Sequence, residues 1–197
     1  FFFTQTPAYE ILSGLVGSEM CIRDRTKVTP MRTILLFISI FMLSTCTNNI
    51  SAIAHIKGVN SNKINGVATF VEENGFVKLI VELREADTEK LAIHIHELGD
   101  CESRDGSSAG GHWNPTTEQH GKWGETPFHS GDIGNISIDK NGKGSLEMKD
   151  HFKRWSISSS GNTNIIGRAI ILHSGVDDMK SQPSGAAGSR IGCGVIR

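Results

Sequence analysis

Aromatic side chains make up only 7% of the 197 residues, and charge is almost balanced, 20 basic against 21 acidic side chains. That balance leaves no basic excess of the kind a nucleic-acid or polyanion surface requires. No stretch carries a convincing amphipathic-helix pattern, no segment repeats, and no phosphate-binding motif appears among the 22 glycines. The longest apolar run, within "MRTILLFISIFMLSTC" (31 to 46), is too short to span a bilayer comfortably.

That run has a different use. An arginine, an apolar stretch and then small residues have the layout of an export signal. "LSTC" reads as a lipoprotein box that leaves Cys46 as the lipidated residue; the alternative is cleavage at Ala52-Ile53-Ala54. Either reading predicts a domain that is exported, periplasmic or lipid-anchored to the cell envelope, with a membrane tether through Cys46 in the first case. Residues 1–30 lie upstream of a plausible start at Met31 and read as non-native read-through. Residues 31–54 are then signal and short tether, and 55–197 the folded domain. Downstream of the tether two cysteines remain, Cys101 and Cys193. An even count in an oxidising compartment predicts a disulfide, and closing a loop of that length is worth about 4–5 kcal/mol in the chain-entropy model.

The domain reads as all-β. Alternating β-branched runs surround Asn74-Gly75 within 66–86, and a similar hairpin pattern surrounds Asn141-Gly142 within 134–148. Further strands are predicted at 90–98, 164–174 and 190–196. Two stretches, 99–131 and 174–189, lack strand character, and loops of that length are uncommon in a compact domain unless they have a function.

Six of the eight histidines lie in or beside those stretches: His94, His96, His112, His120, His129 and His173. His94 and His96 are two apart, so on a strand both point to one face. Taken alone that pair reads first as the polar face of a sheet, with half of a metal site as the alternative. Several neutral imidazoles brought together by loops on a β scaffold make a transition-metal site, because imidazole suits zinc and copper.

The segments "HIHELGD", "GGHWNPTTEQHG", "HSGDIGNI", "GRAIILHSGVDD" and "GAAGSRIGCGVI" occur in this order and together resemble the signature segments of the copper/zinc superoxide dismutases. The resemblance spans 55–197, and the position of Cys101 just after Gly99-Asp100 resembles the bacterial exported branch. It implies a Greek-key antiparallel β-sandwich or flattened barrel with two long functional loops, a zinc loop and an electrostatic loop. It also implies copper and zinc ions as cofactors, the small anion superoxide as substrate, and dismutation to dioxygen and hydrogen peroxide. His94, His96, His112 and His173 are the implied copper ligands, and His112, His120, His129 and Asp132 the implied zinc ligands, with His112 shared. Asp177 is implied to link histidines of the two sets, with Asp178 the rival for that place. Arg190 is implied beside the copper channel, acting with His112 in catalysis, and Cys101–Cys193 as the disulfide.

A homodimer is one possibility the resemblance leaves open, since subunit contacts differ between branches. A non-catalytic copper-binding or copper-delivery protein on the same fold is the alternative function; such relatives typically lose a ligand or the arginine, and this chain keeps them all. Trp113, Trp123 and Trp155 are read as packing residues. Between 47 and 197 there are 16 basic and 18 acidic side chains, so any attraction of an anion must be local.

Overall fold

The structure is a computed structural model that describes residues 49–197; the readings of 1–30, of the signal run and of Cys46 lie outside the described residues. Eight strands form one antiparallel sheet: β1 (Ile50–Gly58), β2 (Asn65–Glu73), β3 (Phe76–Arg84), β4 (Lys90–His96), β5 (Gly134–Ser137), β6 (Gly144–Lys149), β7 (Ala169–His173) and β8 (Arg190–Val195). Their order is β5-β4-β7-β8-β1-β2-β3-β6, and an isolated bridge between Ile138 and Gly144 brings the two edges together into a nearly closed barrel. Joining β4 to β7 and β3 to β6 across the sequence is the Greek-key connection expected from the pattern. A single 3-10 turn, Ser107–Ala109, is the one helical element among the described residues.

The strands form where side chains alternate. On β2 and β3 the inward residues Ala68, Phe70, Val77, Leu79, Val81 and Leu83 are buried, and Asn74 and Gly75 both take positive φ (52° and 73°), the backbone a two-residue hairpin turn requires.

β1 corrects the sequence reading. Residues 50–54 are not tether but the start of this strand, paired with β2 from Ile50↔Glu72 to Lys57↔Asn65. Ala52 and Ala54, read as a cleavage site, are buried on the inner face with Ile56. Their small size hid the alternation. The 164–174 run is also shorter as a strand, because Gly167 turns at φ 78° before β7 begins at Ala169.

β4 and β7 are buried on both faces. Leu91, Ile93, Ile95, Ile170 and Leu172 point into the barrel and join the main core. The opposite face carries His94, His96 and His173, covered by the 97–133 and 174–189 segments. A second, small core of Ala109, Ala169, Ile171 and Cys193 seals that layer. The histidines thus stand on a rigid sheet, beneath loops.

Candidate metal centre

The long loop is stitched back onto the end of β4. Trp113 N–H donates to Ile95 O at 2.9 Å, Gly131 N–H to Trp113 O at 2.9 Å, and Ile95 N–H to Gly131 O at 2.9 Å. This sets His112 beside His96. The Arg168 guanidinium lies 4.0 Å from the centroid of the Trp113 ring, so this tryptophan packs as expected while carrying a cation on its face. Trp123 and Trp155 pack as tilted rings with centroids 4.7 Å apart, and Trp155 Nε1–H donates to Ser130 O at 2.7 Å beside His129. Cys101 and Cys193 are joined as a disulfide with Cα atoms 5.7 Å apart, tying the loop to β8.

The six histidines and Asp132 come together as two adjoining sets. Ligand atoms of His94, His96, His112 and His173 lie within 4.8 Å of one another, as do those of His112, His120, His129 and Asp132. His112 belongs to both. Its Nδ1 is 2.9 Å from Asp132 Oδ1, while its buried Nε2 has no hydrogen-bond partner.

Every other ring has one nitrogen fixed by an acceptor. His96 Nδ1 meets Gly110 O at 2.9 Å, His173 Nδ1 meets Gly188 O at 3.3 Å, and His129 Nε2 meets Glu118 O at 3.0 Å. His94 Nε2 and His120 Nε2 meet the two carboxylate oxygens of Asp177, each at 2.9 Å. An acceptor demands N–H on that nitrogen, so in the neutral rings the other nitrogen is a bare lone pair aimed into the site. His94 Nδ1 is buried with no hydrogen-bond partner, and the buried His120 Nδ1 has none in good geometry, only the Asp132 Oδ1 atom 3.0 Å away. Orphaned buried nitrogens of this kind are costly unless a cation completes them.

The second set makes the case most sharply. Asp132 Oδ2 accepts from His129 N–H at 2.7 Å and Gly121 N–H at 3.1 Å, which leaves Oδ1 facing three ring Nδ1 atoms at 2.9, 3.0 and 3.1 Å. Lone pairs and a carboxylate oxygen converging at such distances repel unless something positive lies between them. Zinc bonds of about 2.0–2.1 Å in a tetrahedron set neighbouring ligands about 3.3 Å apart, close to this spacing. Without metal a proton substitutes. Burial pulls His120 down, but Asp132 and Asp177 on either side outweigh it and raise its pKa to about 9. Burial would also raise both carboxyls, yet the histidine contacts outweigh it and hold Asp132 and Asp177 well below the usual carboxylate range.

In the first set burial dominates, with repulsion between neighbouring rings adding to it. His96 is lowered to about 2, His173 to about 3 and His112 to about 4. These rings are neutral at physiological pH, the form a metal binds. His96 Nε2 and His173 Nε2 face each other at 3.4 Å.

Of the two adjacent aspartates, Asp177 is buried and holds both histidines, while exposed Asp178 caps the next turn through Lys180 N–H and Ser181 N–H. Arg190 donates to Gly106 O at 2.5 Å and Gly110 O at 2.6 Å. The Gly110 carbonyl therefore holds both Arg190 and His96. His96, His112, His173 and Arg190 line a cavity of about 510 Å³.

The profile of the family described as copper/zinc superoxide dismutase matches residues 64–196. The chain belongs to this family. A Paramecium bursaria Chlorella virus 1 protein named superoxide dismutase [Cu-Zn] is 39% identical over 176 residues, 83% of this chain and 91% of the relative. A Schizosaccharomyces pombe protein of the same name is 38% identical, covering 75% of this chain and 97% of the relative. Among solved structures, the clock protein EA4 aligns with a TM-score of 0.66 and 32% identity over 76% of this chain and 95% of that one. A double mutant of a superoxide-dismutase-like protein from Bacillus subtilis aligns at 0.65 and 29% identity, over 73% and 95%.

Sequence reasoning found every side chain of the two sets. It missed what orients them: the carbonyls of Gly110, Glu118 and Gly188, and two side-chain amides. Gln182 accepts from His120 N–H and donates to His120 O, both at 2.9 Å. Asn135 pairs with the Asp177 backbone at 2.8 and 2.9 Å. Carbonyls leave no trace in residue identity, and a lone Gln or Asn in a polar loop has no signature.

Proposed function

We propose that this chain dismutes superoxide, 2 O2•− + 2 H+ → O2 + H2O2, with copper held by His94, His96, His112 and His173 and zinc by His112, His120, His129 and Asp132. The observation that carries this reading is His112, one ring whose two nitrogens serve two adjoining donor sets. Copper supplies the alternation between two oxidation states that lets one superoxide give up an electron and the next receive it. Zinc has no redox chemistry and suits the closed, carboxylate-bearing set.

The protein contributes the rest. His112 Nε2 is free of any protein partner, so it is the atom that can take up a proton and hand it to the second superoxide as that is reduced to peroxide. Its Nδ1 stays anchored beside Asp132, which returns the ring to the same place each cycle. Arg190, fixed by two carbonyls, presents fixed positive charge at the cavity and draws in the anion; superoxide dismutases are themselves the standard illustration of such focusing. Asp177 joins His94 to His120, so the two sets hold each other's geometry.

The exported, envelope-located branch is the location that fits. The signal run ends at Cys46, only three residues before β1, and a disulfide is typical of an oxidising compartment. Lipidation of Cys46 would tether the domain closely to the envelope.

A homodimer is the assembly that would cover the exposed apolar side chains Ile53 (40%), Leu98 (53%) and Ile166 (42%). The backbones beside them are linked, since Ile53 pairs with Arg197, Ile196 O receives the Gly167 N–H, and Gly99 lies against Gly167 O.

The test is dismutation by residues 47–197 loaded with copper and zinc, with and without cyanide, beside His173→Ala. Cyanide-sensitive activity that the variant lacks is the expected result. Stoichiometric metal binding with no dismutation would reject the reading in favour of copper storage or delivery.

A further inference from the structure

Two fixed charges line the cavity that leads to His96, His112 and His173. One is the cation Arg190 and the other the carboxylate Glu118; the remaining lining residues are histidines, amides, a serine, a proline and glycines. Taken alone these two charges cancel, and an anion entering the cavity would gain little from Arg190. Behind Glu118, outside the cavity lining, stands Arg154. Its Nη1 donates to Glu118 Oε2 at 2.6 Å and its Nη2 to Glu118 Oε1 at 3.2 Å, a two-pronged pair of the strong kind.

The pair is better shielded than an ordinary surface ion pair. The Arg154 and Glu118 side chains are 17% and 26% exposed, against 42% and 64% for Lys78 and Glu147. Arg154 is also fixed in place. It lies 4.6 Å from the Phe128 ring centroid and donates to Thr116 Oγ1 at 3.1 Å. Its own segment is held by the Asp150 carboxylate, which accepts from Phe152 N–H and Trp155 N–H at 2.9 and 2.7 Å.

We infer that Arg154 sets the rate at which superoxide enters, by neutralising Glu118 so that Arg190 alone determines the sign of the potential in the cavity. This deepens the proposed function and rests on it. A rim charge of this kind acts on association rate and on its salt dependence. The rival reading is structural: Glu118 O anchors His129, so Arg154 could act only by steadying the zinc loop.

The test compares Arg154→Met, Glu118→Gln and the double variant, each loaded with copper and zinc and checked for metal content. The readouts are kcat/KM for superoxide across ionic strength and the affinity for azide, an unreactive small anion. Near 10 mM salt Arg154→Met should lower both by about threefold, and the deficit should vanish by about 0.5 M as the charges are screened. Adding Glu118→Gln should recover most of the loss. Glu118→Gln alone should raise kcat/KM at low salt, and this arm decides the matter should Arg154→Met fail to fold or to hold zinc.

A deficit that persists at high salt, or that Glu118→Gln does not relieve, would overturn the inference in favour of the structural role. No gain from Glu118→Gln alone would overturn it as well. Loss of azide binding and activity together at every salt would point past this inference to the copper assignment itself.

Discussion

The two donor sets touch through His112 but are built in opposite ways. His94, His96 and His173 stand on β4 and β7, strands buried on both faces, and burial is what keeps His96 and His173 neutral. The set of His112, His120, His129 and Asp132 lies within one loop of 21 residues and is organised by charge, with one carboxylate oxygen at its centre. A sheet can hold ligands in place without the metal; a loop needs the metal to hold itself. The difference suits the chemistry the two ions would supply, a rigid seat for the one that would change oxidation state and a charged loop for the one that would not.

The largest effect that tests this contrast is loss of a sheet ligand. His173→Ala should abolish dismutation while shifting the melting temperature of the zinc-loaded protein by only a few degrees. Next is loss of the central carboxylate. Asp132→Asn should weaken zinc binding more than about 100-fold, beyond the cost of losing an outer partner, and should expose the 112–132 loop to protease. Asp177→Asn breaks the link between the sets and should cost about 10–100-fold in metal affinity, read by chelator competition for each metal.

A smaller and more pointed effect lies in the metal-free protein. His96, His112 and His173 stay neutral in the fold while the unfolded chain takes up protons below about 6.5, so stability falls as pH drops below that value. His120 has the opposite sign: its pKa of about 9 means stability present at neutral pH is lost as pH rises from about 6.5 through 9. Urea midpoints against pH should therefore peak between these limbs, and His120→Gln should remove the alkaline one. Smallest is Arg168→Ala, which removes the cation from the Trp113 ring and should cost about 0.5–2 kcal/mol in denaturant titrations.

What could be read from the sequence follows the same division. Hairpins such as 65–84 were legible because large residues alternate, and the ligand histidines because their spacing matched known segments. β1 was not, since Ala52 and Ala54 face the core with too little bulk to mark a strand. Asp177 could not be separated from Asp178 by identity, and only burial decides between them. The hydrogen bonds that fix each tautomer run largely to main-chain carbonyls, which every residue carries. Donors were visible in the sequence; their orientation was not.

Anomalous diffraction at the copper and zinc absorption edges, on crystals of protein loaded with both metals, tests the account most directly. It predicts a copper peak among His94, His96, His112 and His173 and a separate zinc peak among His112, His120, His129 and Asp132. Copper in the loop set, or both metals mixed across the two, would contradict it.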